Sequence, residues 1–276
     1  MIPPVADNFV AGEDAETMLD YVAETNREGI AGIANLLGEH YDERPDAAAD
    51  TEAYVELAER IDERDLDCCV SVKPSQVGLD VGTDVFRRNL GRIVEHAAER
   101  GVFVWVDMED HETTDATLDA FEENAREYGD VGVCVQANLK RTGEDLERLA
   151  DVPGKVRLVK GAYDEPTEVA YREKSTVDEK YREYIEFAFR EFDDGVAVGS
   201  HDVGMINHAV DCHREYGTPF EVQMLMGVRE NVQRRLVGSV PVYRYIPYGP
   251  KWFSYFARRV RERKENALFA LRAVLG

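Results

Sequence analysis

The chain has 276 residues, 44% of them apolar, enough for one large core and within the length an α/β barrel takes as a single domain. With 55 acidic against 33 basic residues its net charge is -22, which argues against nucleic acid, because binding a phosphate backbone rests on neutralising it. Only eight of the basic residues are Lys, and the acids are spread along the whole chain, a surface suited to concentrated salt, where screening suppresses self-repulsion. The cytoplasm of a salt-accumulating halophile is the expected setting, with an ordinary acidic protein as the alternative.

Residues 1–8 read as irregular and 13–25 as a first helix over the bottom or side of the fold. Residues 30–37 form a continuous small-apolar run ending at Gly38, as in a strand buried on both faces. An alternation follows. Residues 51–63 are amphipathic and 68–72 form a strand. Thr83 starts a helix with the stripe Phe86, Leu90, Ile93, Val94 and Ala97, and 102–106 is the next strand. Leu118, Phe121 and Ala125 mark a third helix before the strand 131–135. Thr142 with Asp145 resembles a capping box ahead of Leu146 and Leu149, and the strand 156–159 comes next. The longest connection, 163–194, carries Tyr181, Tyr184, Ile185, Ala188 and Phe192 on one face. Strands at 197–199, 220–225 and 240–246, with a helix over 206–210, complete the series. Eight strands alternating with helices predict a parallel (β/α)8 barrel of the TIM type, a single domain over 1–276 with an N-terminal helix and a C-terminal helical segment. No Gly-x-Gly-x-x-Gly follows a strand, which removes the usual mark of a Rossmann domain.

Cys68 and Cys69 are adjacent in a strand and so face opposite sides, while Cys134 and Cys212 are isolated, so all four are expected to be reduced core thiols. The first residues do not read as a signal peptide, and no apolar run approaches about 18 residues, so a soluble, cytoplasmic protein is expected.

In such a barrel the polar residues at the carboxyl ends of the strands converge on one mouth. Lys73, Asp107, Gln136, Arg157, Lys160, Ser200, His201, Gln223 and Tyr245 stand at or just beyond those ends, on every strand but the first. After residue 246 the chain breaks at Pro247 and Gly249 and resumes with helical spacing. On that helix Arg258 and Arg259 diverge by about 100°, with Tyr255 and Glu262 one turn to either side. The pair reads as a carboxylate clamp steadied by Glu262, or as a solvated helix end complementing its dipole. Lys73, Arg157, Arg258 and Arg259 in one mouth would be costly to bury unpaired, so a small carboxylate or a phosphate-bearing ligand is expected to complete the balance.

The stretch from Arg244 to Glu262 resembles the C-terminal signature of proline dehydrogenases, a strand with Tyr, then Pro-x-Gly, then Tyr-x-x-Arg-Arg-x-x-Glu. Further blocks match in the family's order at Val72-Lys73-Pro74-Ser75, Val106-Asp107-Met108-Glu109, 156–163, Gly199-Ser200-His201 and 221–225, covering the chain from about residue 9 onward. The resemblance implies FAD on a distorted (β/α)8 barrel and oxidation of L-proline to Δ1-pyrroline-5-carboxylate. It implies that Arg258, Arg259 and Lys73 grip the carboxylate, that Lys73 pairs with Asp107, and that Tyr163, Leu225, Tyr245 and Tyr255 shape the pocket around the ring. Relatives that prefer hydroxyproline tend to lack the tyrosine matching Tyr245, so proline is expected and hydroxyproline is the alternative.

For the cofactor, the resemblance implies Arg157 beside the flavin N5 and O4, Gln136 at its pyrimidine edge, and close backbone approach at Val159, Gly161 and Ala162. Ser200, His201 and Gln223 would also contact FAD, and a hydride would pass from proline C5 to N5. A quinone is implied as electron acceptor, and a separate pyrroline-5-carboxylate dehydrogenase as the next enzyme, since no aldehyde dehydrogenase domain follows Gly276. The chain departs from many relatives in lacking a longer N-terminal helical segment and in placing Asn138 and Met226 where aromatic residues are common. Two other readings compete: a Schiff-base aldolase-type barrel using Lys160 or Lys73, and a peripheral membrane or partner contact through residues 251–275.

Overall fold

In the computed structural model, which describes residues 8–253 and 255, eight parallel strands close on themselves in chain order. They are β1 (Ala31–Leu36), β2 (Cys68–Val72), β3 (Val104–Val106), β4 (Val131–Gln136), β5 (Lys155–Val159), β6 (Val196–Gly199), β7 (Phe220–Leu225) and β8 (Val242–Tyr248). Between them run α1 (Ala15–Arg27), α2 (Arg44–Glu63), α3 (Thr83–Ala98), α4 (Thr114–Tyr128), α5 (Thr142–Leu149), α6 (Lys174–Glu191), α7 (Val203–Tyr216) and α8 (Glu230–Leu236), α1 preceding β1. The barrel foreseen from the alternation is therefore the fold.

Period-two alternation divides each strand between two environments. Val70, Val104, Val106, Val133, Leu158, Val198 and Val222 face the helices and form the main core with Phe86, Leu90, Phe121, Tyr181 and Ile185. Ile33, Cys69, Trp105 and Ala197 point the other way and fill the barrel interior. Gly132 lets the Trp105 indole lie flat there: a Cβ on Gly132 would fall 2.4 Å from the ring. All four cysteines are buried and unbridged, and burial pushes the Cys68 thiol up to about 12.

Helix starts follow local chemistry. Asp14 caps α1 by accepting from the Thr17 amide at 2.9 Å, and Asp202 caps α7 by accepting from the Gly204 amide at 2.9 Å. Three sequence expectations are corrected. The helix expected from residue 51 begins at Arg44, with Pro45 in the first turn, where its missing N–H is not needed. Thr142 is no cap: it lies inside α5, its hydroxyl donates to the Gln136 carbonyl at 2.5 Å, and Asp145 is held by Arg141 Nε at 2.9 Å. The last strand runs through Pro247 to Tyr248 rather than ending at Ile246. Pairing with β7 stops at Tyr245, so Pro247 costs no ladder bond there, and β1 accompanies the strand to its end. Among the described residues no helix is long and apolar enough to cross a membrane.

Candidate active site

The alternation that places Ile33, Cys69 and Trp105 in the interior places Asn35, Ser71, Lys73 and Asp107 above them, towards the carboxyl ends. Arg157, Gln223 and Tyr245 join them from β5, β7 and β8. The result is a cavity of about 300 Å³ at the strand ends, at the lower end of the range for small-molecule sites.

Its base is a buried ion pair. Arg157, 4% exposed, reaches across the barrel to Asp107, and the Ser71 hydroxyl donates to the same carboxylate at 2.8 Å. The second Asp107 oxygen accepts from the Tyr245 hydroxyl at 3.0 Å. Arg157 also donates to Gln223 Oε1 at 3.3 Å and lies against the Trp105 face, 5.1 Å from its centroid. Burial is the largest single influence and would drive the proton off Arg157, yet Asp107, together with smaller contributions from Cys134 and Tyr245, outweighs it and raises its pKa above the ordinary arginine value. Burial, reinforced by Asp107, lifts Tyr245 well above the usual phenol value, so it is a neutral donor. Burial also raises Cys134, leaving a protonated thiol rather than a nucleophile.

This arrangement corrects the expected pairing of Lys73 with Asp107. The carboxylate is filled by Arg157, Ser71 and Tyr245, because the more deeply buried guanidinium needs the counter-charge. Lys73 instead donates to Asn35 Oδ1 at 3.3 Å, and among the described residues no carboxylate pairs with it.

Gln136, Val159, Gly161, Ala162, Tyr163 and His201 also line the cavity, as do Leu225 and Tyr255. Gln136 is partly committed to protein, donating to the Glu109 carbonyl at 2.7 Å and accepting from the Ala162 amide at 3.4 Å. His201 Nε2 accepts from the Leu225 amide at 3.3 Å. Behind Leu225, the buried Gln233 of α8 donates to the Leu225 carbonyl at 3.0 Å and accepts from Arg244 Nε at 2.8 Å. Ser200 does not line the cavity; its hydroxyl accepts from the Asp202 amide at 3.1 Å and shapes the start of α7. Lys160 is held by Asp178 and, at 3.4 Å, by Asp202, the reverse of the cationic neighbour that a Schiff-base lysine was expected to have. Arg258, Arg259 and Glu262, with most of the segment 251–275, lie outside the described residues.

Sequence reasoning missed Asn35, Ser71, Met108, Cys134 and Gly199. Asn35 was absorbed into an apolar run, although its spacing of two from Ile33 marks it as facing the interior.

A proline dehydrogenase family model matches residues 18–272. Proline dehydrogenase of Deinococcus radiodurans is 36% identical over 280 residues, spanning 98% of this chain and 90% of the relative. Proline dehydrogenase 2 of Bacillus subtilis is 34% identical over 275 residues, with the same coverage. Among solved structures, proline utilization A from Bdellovibrio bacteriovorus superposes with a TM-score of 0.85 at 23% identity over 92% of this chain. This chain spans only 32% of that protein, and the likeness speaks for the fold.

Proposed function

This chain belongs to the proline dehydrogenase family, and from that premise we propose that its cavity binds L-proline against FAD, with Lys73, Arg258 and Arg259 receiving the carboxylate. The chain is an oxidoreductase acting on the CH–NH bond of proline, the first step of proline catabolism. The product is Δ1-pyrroline-5-carboxylate, formed as the ring carbon beside nitrogen loses a hydride and nitrogen loses a proton. The observation that carries the carboxylate assignment is a buried ammonium, Lys73, whose partner is a neutral amide while the neighbouring carboxylate is spent on Arg157.

The residues present fit a flavin. Gly161, at φ 109°, brings bare backbone to the cavity wall, where a Cβ would meet Asn138 Oδ1 at 2.0 Å. Gln136, Gln223 and His201 add polar groups to the same cavity. Val159, Gly161 and Ala162 would hold the ring, with Gln136, Gln223 and His201 at its polar edges. Ser200 supports this wall from behind. A bound flavin supplies the acceptor for the hydride. Arg157, clamped by Asp107, Ser71 and Gln223, would offer the flavin a fixed cation, so little reorganisation would accompany charge transfer. Tyr163, Leu225, Tyr245 and Tyr255 enclose the ring of the substrate and exclude water. Asp107 is engaged by Arg157, Ser71 and Tyr245, and Tyr245 is neutral, so the amine proton is lost to water before the ring is enclosed.

Tyr245 lines the cavity, and its presence there supports proline over hydroxyproline as the substrate. A quinone acceptor, a separate pyrroline-5-carboxylate dehydrogenase and a salt-rich cytoplasm, with peripheral membrane contact during electron transfer, complete the reading. The test is anaerobic titration of the purified protein in high salt. Bleaching of a flavin spectrum by L-proline but not D-proline supports it; a flavin-loaded protein unresponsive to L-proline overturns it.

A further inference from the structure

We infer that Asn35 is a positioning residue that presents the Lys73 ammonium to the substrate carboxylate without cancelling its charge. The inference rests on the reading that Lys73 binds that carboxylate. Asn35 is 1% exposed and makes two hydrogen bonds, donating from Nδ2 to the Ser71 carbonyl at 3.0 Å and accepting at Oδ1 from Lys73 Nζ at 3.3 Å. A carbonyl only accepts and an ammonium only donates, so the amide can sit in one orientation alone.

Two of the cations that line the cavity are thereby treated differently. Arg157 is ion-paired with Asp107 and so is tied into the frame. Lys73 is held by a dipole, with no carboxylate in ion-pair contact among the described residues and Glu109 acting on it only at longer range, so an incoming anion finds a buried cation already aimed. No other residue of similar size meets both demands. Aspartate could not donate to Ser71 and would occupy the ammonium, whereas serine could serve Ser71 but not reach Lys73.

The holoenzyme variants N35D, N35S, K73M and N35D/K73M separate the possibilities. In N35D the new carboxylate competes with substrate, so KM for proline should rise about tenfold, as expected for losing one charge-assisted hydrogen bond, while kcat changes much less. N35S should raise KM in the same sense, because the ammonium is no longer held. The Kd of cyclopentanecarboxylate, which has no oxidisable amine, should weaken in parallel, giving a readout independent of turnover. In the K73M background, N35D should add little to KM.

If K73M leaves KM and this Kd unchanged, the carboxylate reading of Lys73 fails and the role of Asn35 falls with it. If K73M weakens both but N35D and N35S do not, the reading stands and the inference about Asn35 is overturned. Loss of melting temperature with KM unchanged in N35D or N35S would likewise overturn it, showing that Asn35 serves only the Ser71 carbonyl.

Discussion

Replacing Asp107 with alanine should strand Arg157 in the barrel. The guanidinium is 4% exposed, and Asp107 is the one carboxylate paired with it among the described residues. The contacts that remain, to Ser71 Oγ at 3.3 Å and Gln223 Oε1 at 3.3 Å, are long and neutral. Ser71 and Tyr245 lose their acceptor at the same time. Removing one partner of a buried pair costs about 3–5 kcal/mol. At roughly 2–4 °C per kcal/mol for a chain near this size, the melting temperature should fall by about 6–20 °C. Thermal unfolding by circular dichroism in molar KCl reads this directly. D107N keeps one acceptor and should lose less, and D107A/R157M should recover much of the loss because no buried charge is left without a partner. A D107A protein melting within about 2 °C of the parent would refute the account, since the ion pair and the hydrogen bonds from Ser71 and Tyr245 are all lost together.

Two further outcomes follow from the geometry. G161A should lower the ratio of bound flavin to protein after purification severalfold, because the new methyl group enters the space beside Asn138 and φ 109° suits no side chain; N138A should not restore it, since the backbone strain persists. Burial raises the pKa of Glu109 above the ordinary glutamate value of 4.5, although Ser75 donates to it through amide and hydroxyl. Between that value and the raised one the native state holds a proton the unfolded chain has released, so stability declines as pH rises through this window. E109Q should flatten that slope in melting curves taken across mildly acidic pH; an unchanged slope would place the dependence elsewhere.

Much of the fold was legible because its signals are local. Residues 220–225 were read as a strand with the bounds that β7 has, and Thr83 was correctly read as the start of α3, ahead of its apolar stripe. The misreadings had different causes: the start of α2 and the role of Thr142 turn on local detail, the end of β8 on strands distant in sequence. Pro247 stays in a strand because β7 has already ended and β1 has not. Thr142 serves the Gln136 carbonyl instead of its own helix, because the turn brings that acceptor within reach. The site showed the same division. Strand-end position found Lys73, Asp107, Arg157 and Tyr245, yet which cation Asp107 would choose depended on the relative burial of two side chains across the barrel. Asn35 escaped notice for a simpler reason, since one amide in an apolar run looks like an exception until its face is known.

The layer of Ile33, Cys69, Trp105 and Ala197 makes the cavity a blind well. With its floor sealed, traffic has to pass the rim at the carboxyl ends of the strands, so product must vacate before fresh substrate can descend. Residues along that rim therefore govern entry and exit together. A change there that tightens capture should also slow escape, because among the described residues the same rim serves both.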